Sequence, residues 1–140
     1  MNNQDNDLVR ELFGEPISTY TRAEAISDGT LIDVSTEARA LGIRHPVALT
    51  RAAWADCVDW QDEDSRRQIY QDIAGRLHDV LWMFRCAARH ASGERIRFSL
   101  YRVPRGGRAT RPRLTMLAAV IGPGDTGEEP VLTIMLPGED

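Results

Sequence analysis

Apolar residues recur at Ile69, Ile73, Leu77, Leu81, Phe84, Ala88 and Ala91, in steps of three or four. That spacing places them on one stripe of a helix. From Arg95 the period drops to two: in "RIRFSLY", Ile96, Phe98 and Leu100 alternate with Arg97, Ser99 and Tyr101. Alternation of this kind marks a half-buried strand. "LTMLAAVIG" is apolar on both faces, as a central strand is, and "PVLTIML" follows it after the turn "GPGDTGEE". The change of period constrains the chain to an α+β class. One long central helix precedes a C-terminal three-stranded antiparallel β-meander and covers one of its faces.

The amino-terminal half reads as short N-terminal helices and a strand. A short apolar segment, Leu8 to Phe13, stops at Gly14. Thr21 with Glu24 three residues on forms a capping box for "RAEAIS", which Asp28-Gly29 ends. "TLIDV" reads as a strand, Ser35 caps "TEARAL", and Thr50 caps a helix from Arg51 to about Val58. The long helix opens at a Ser65/Gln68 capping box and stops at Ser92-Gly93, with Gly75 as the place for a kink. "VLWMF" (Val80 to Phe84) is apolar around a whole turn and belongs in the middle of the core. The expected core is Ile69, Ile73, Leu77, Val80, Leu81, Phe84, Phe98, Leu100, Met116, Val120, Ile134 and Leu136.

The 140 residues suit a single domain spanning 1–140, with 1–20 partly flexible and 104–113 a projecting arginine-rich hairpin loop. Roughly 70% of the unfolded surface can be buried at this length, enough for a core without staples. No run of 18 apolar residues occurs, and "MNNQDNDLVRELF" is too polar and acidic for a secretory signal. The expected location is cytoplasmic, without membrane contact. Cys57 and Cys86 lie in apolar, helix-like surroundings and read as buried thiols.

Catalytic patterns are sparse. Cys86 and His90 are four residues apart, with His78 further along the same helix, but no CxxC or HExxH completes a metal set. Cys57 or Cys86 could pair with His45, His78 or His90 as nucleophile and base, yet nothing local marks either thiol as activated. There is no GxGxxG and no Walker sequence. Asp59, Asp62, Glu63 and Asp64 suit the positive end of the long helix better than a cation. Trp54 and Trp60 read as packing residues. The expectation is a protein that is not an enzyme, with no cofactor and no metal.

Charge is what remains. Residues 1–84 hold eight arginines against fifteen acids, net −7; residues 85–113 hold nine against Glu94, net +8; residues 114–140 hold five acids, net −5. Five arginines, Arg102, Arg105, Arg108, Arg111 and Arg113, fall within twelve residues around "PRGGRATRPR". A loop so polar either keeps its hairpin soluble or presents guanidinium groups to phosphate or carboxylate groups. No aromatic beyond Tyr101 is interleaved, so stacking of single-stranded bases is poorly served. The flanking acidic segments favour an acidic protein surface over a nucleic acid, which is the second choice. Apolar residues on both faces of the last two strands leave one face for the amino-terminal helices or for a second subunit, a homodimer.

Four stretches, "LFGEPISTYTRAEAISDGTLIDVS", "PVALTRAAWADCVDW", "GRLHDVLWMFRCAAR" and "VIGPGDTGEEPVLTIMLPGED", resemble an uncharacterised family of small bacterial proteins. The resemblance runs from Leu12 to Asp140 in matching order. Members sit on plasmids, integrative elements and phages, and no activity or catalytic residue carries over from them. The resemblance implies mobile-element cargo, a setting in which small proteins act on host defence or on DNA maintenance, and the expected partner is a protein of the host or of a rival element.

Overall fold

The computed structural model describes residues 20–139. The segment from Leu8 to Phe13, and the flexibility expected of the first nineteen residues, lie outside them. Helix α1 (Arg22–Asp28) is followed by β1 (Leu31–Asp33), α2 (Ser35–Ala40), β2 (Val47–Thr50) and α3 (Arg51–Cys57). Then come α4 (Asp62–Arg67), α5 (Ile73–Ala88), β3 (Arg95–Arg102), β4 (Arg113–Pro123) and β5 (Pro130–Met135).

All five strands form one sheet in the order β1-β2-β5-β4-β3. The expected meander is present, since β3 pairs β4 and β4 pairs β5 antiparallel. It is not the whole sheet. β2, four residues that the capping signal of Thr50 hid, runs parallel to β5 and joins β1 antiparallel. The sheet is therefore mixed, and the wholly antiparallel reading is corrected. Pro46 accepts from Leu132 N (2.9 Å) just before the parallel ladder begins.

Side chains alternate across the sheet. Val47, Leu49, Ile96, Phe98, Leu100, Leu117, Ala119, Leu132 and Ile134 face the helical layer and pack with Leu77, Val80, Leu81 and Phe84 of α5. Phe84 and Phe98 meet edge to face at 5.8 Å. On the opposite face α1 lies over β5, where Arg22 donates from Nη1 to Thr133 Oγ1 and from Nη2 to Leu132 O, both at 2.7 Å.

Three expectations about the long helix change. It does not open at Ser65 and bend at Gly75; it breaks between Arg67 and Ile73, giving α4 and α5. Asp72 caps α5 by accepting from Gly75 N (2.7 Å), so the glycine sits in the first turn of a new helix. Gln61 and Asp64 form the capping box of α4. Ser65 instead accepts from Trp60 Nε1 and donates to Gln71 O, at 3.0 and 3.1 Å. Ile69 lies in the break and is exposed, and Met116 is exposed on the outer face, so neither belongs to the core. In "VLWMF", Val80, Leu81 and Phe84 are buried while Trp82 and Met83 face solvent. No helix among the described residues is long and apolar enough to cross a membrane.

Candidate functional site: the arginine loop and its acidic seat

The β3–β4 loop does not stand wholly clear of the body. Arg102, the last residue of β3, reaches Asp56 with Nη2 at 3.0 and 3.2 Å from the two carboxylate oxygens. Arg105 donates from Nε to Asp64 (2.8 Å) and from Nη1 to Asp59 (2.7 Å). Gln68, in the break between α4 and α5, fills the loop's concave side. Its Nε2 donates to Pro104 O and Ala109 O, at 2.8 and 2.6 Å, and its Oε1 accepts from Gly106 N at 2.9 Å. Gly106 and Gly107 have φ of 92° and 65°, a left-handed pair that lets the chain curl over the glutamine.

The acidic turn thus has two tasks. Asp64 closes the capping box by accepting from Gln61 N (2.8 Å), and the same carboxylate takes Arg105. The Gln61 N–H, assisted by Arg105, holds the Asp64 carboxyl below its ordinary range against the opposing effect of burial. In return, the bond to Asp64 raises Arg105.

Beneath this seat lies a residue that sequence reasoning missed. Arg76 is buried in the first turns of α5, with its guanidinium 4.6 Å over the Trp60 ring. It donates from Nε to Val58 O (3.1 Å) and from Nη1 to Gln71 Oε1 (2.6 Å) and Val103 O (2.9 Å). Burial pushes its pKa below the ordinary arginine value. Arg76 ties the end of α3, the α4–α5 break and the end of β3 together, and so places the loop. An arginine inside a helical stripe reads as solvated; its one local signal was Trp60.

The remaining loop arginines are placed differently. Arg108, Arg111 and Arg113 are exposed, and no carboxylate of the described residues lies within ion-pair distance of them. Beside them the outer face of the sheet carries Tyr101, Leu114 and Met116, 67%, 59% and 44% exposed. Tyr101 stands directly opposite Leu114, and Ser99 opposite Met116. The five arginines thus fall into two seated groups and three facing solvent.

Other features offer less chemistry. Burial, then Asp56, pushes the Cys57 thiol up to about 12, so it stays protonated. His78 stacks on Trp82 with ring centroids 6.2 Å apart, and Asp79 is its 3.8 Å neighbour. Among the described residues no three of His, Cys, Asp and Glu gather as a metal set would. A groove of about 940 Å³ on the outer face includes Arg22, Thr50 and Asp125. Each of these already has a partner within the chain: Thr133 and Leu132, Glu139, and the Arg22 and Ala23 amides. A second cleft of about 530 Å³ between α2, α3 and α5 is apolar, with Leu41, Trp54, Leu77 and Leu81 in its wall.

A family of unknown function, DUF6573, matches residues 12–140. The chain belongs to that family. No curated protein and no solved structure matches it. The matched residues span the seat, the loop and the sheet.

Proposed function

We propose that the protein acts by binding rather than by catalysis, and that its partner is a protein with an acidic surface. The observation that carries this reading is the pairing of three arginines that have no ion-pair partner among the described residues with exposed Tyr101, Leu114 and Met116 at one end of the sheet. Arginine, tyrosine and methionine are the residues that protein interfaces enrich, and a cationic rim beside an apolar centre suits an acidic, partly apolar patch. The mobile-element setting implied by the resemblance makes a host or rival-element protein the expected target, with inhibition of a host defence system as the finer form of the reading.

Nucleic acid is the second reading, carried by the same three arginines. Against it, Asp56, Asp59 and Asp64 neutralise the other two, and the acidic turn lies directly under the loop. That leaves few charges for counterion release. The test changes Arg108, Arg111 and Arg113 to serine and measures duplex-DNA retention and co-purifying proteins separately, at about 0.05 and 0.3 M salt. The proposal expects specific protein partners to be lost from the variant while the parent never retains DNA. Parent-like recovery from the variant, or DNA retention that the three serines abolish, contradicts it.

A further inference from the structure

Among the described residues β3 is the last strand of the sheet and pairs only with β4. Ile121 N donates to Glu94 O (2.8 Å), and the β3–β4 register sets these two residues directly opposite each other. In an antiparallel ladder hydrogen-bonded pairs alternate with non-bonded ones. Ile96, Phe98 and Leu100 therefore turn their main-chain groups to β4, and Arg95, Arg97, Ser99 and Tyr101 turn theirs to the open edge. Among the described residues none of these four has a main-chain partner on that side. The same four place their side chains on the outer face, beside Leu114 and Met116.

We infer that this edge accepts an extended segment of an acidic partner protein as a sixth strand. The inference rests on the reading that the partner is acidic, and it names how that partner is held. Main-chain bonds along an open edge supply affinity, and alternate side chains supply selectivity. Arg97 is exposed with no partner of its own among the described residues, while Arg95 donates to Pro137 O (2.9 Å). An incoming strand meets these arginines at every second residue, where carboxylates are favoured. Its intervening residues turn toward the helical layer alongside Ile96, Phe98 and Leu100, where apolar groups are favoured. A second copy of this chain is a poor occupant, because it would gather four arginines on one strand pair. Charged residues on an edge strand are a common guard against such self-pairing.

The probe is the blocked octapeptide of alternating glutamate and valine, with the lysine–valine octapeptide as control, added to the full chain. Amide hydrogen exchange is followed by NMR. The expected result is protection rising at least about tenfold at Arg97, Ser99 and Tyr101, with Phe98 and Leu100 unchanged and no effect of the lysine peptide. Ser99→Pro removes an edge donor without touching the β4 ladder and abolishes the effect, whereas Ser99→Ala keeps it. Arg97→Glu weakens glutamate-peptide binding at least about tenfold. Several results overturn the inference: no binding at about 1 mM peptide, equal binding of the lysine peptide, or binding without protection of those amides. So does protection already present in the free chain, which would mean that the edge is filled by its own residues or by a second copy. If the loop-tip serine variant loses its protein partners while Ser99→Pro keeps them, the acidic-partner reading stands and the sixth strand does not.

Discussion

At the scale of single residues, local spacing finds some caps and misplaces others. Ser35, expected as a cap, is the first residue of α2, with Val34 at the cap position, and Ser65 bonds Trp60 and Gln71 instead. Thr21 accepts from Glu24 N and Thr50 from Ala53 N, each at the position its spacing implied, and Gly29 ends α1 at φ 84°. Local spacing cannot carry a pair such as Arg102–Asp56, which joins positions 46 residues apart. The arginine run was visible; its division was not, because Asp59 and Asp64 read as a helix start and Asp56 lies within α3. Asp64 serves both purposes, and this has a consequence for pH. Its folded pKa is depressed, so its contribution is present above the ordinary aspartate value and is lost as pH falls from about 4 through the folded value. Asp125, held low by the Arg22 and Ala23 amides, acts in the same direction. Asp64→Asn is expected to lower stability at neutral pH and to flatten its decline in that acid window. A variant whose acid profile keeps the parent's slope would count against the seat.

At the scale of elements, long periodic stretches were legible and short ones were not. The stripe of α5 and the alternation of β3 each repeat often enough to outweigh chance. The four residues of β2 do not, and Pro46 before them and Thr50 after them signal a turn and a helix cap instead. β2 acquires its identity from β5, a partner more than eighty residues away. The break between α4 and α5 was misplaced for a related reason: Ile69 continues the apolar stripe by spacing, but the chain turns there so that Gln68 can enter the loop. Asp72 restarts the helix. Asp72→Ala is expected to cost about 1 kcal/mol of unfolding free energy, as losses of N-caps do. Chemical denaturation checks it, and an unchanged midpoint would argue that α4 and α5 behave as one continuous helix.

At the scale of the whole molecule, the charge segregation along the chain is partly folded away. The acidic turn from the net −7 segment lies under the base of the arginine loop from the net +8 segment. One end of the β3–β4 hairpin stays exposed, cationic at the tip and apolar on the outer face. The five arginines divide into two that hold the loop to the body and three with no ion-pair partner among the described residues. Urea and thermal unfolding of two variants, Arg102→Ser/Arg105→Ser and Arg108→Ser/Arg111→Ser/Arg113→Ser, test that division most directly. The first is expected to lower Tm by about 5 °C or more, and the second to stay within about 1 °C of the parent. Equal losses in the two variants, or a larger loss from the three tip arginines, would contradict the division.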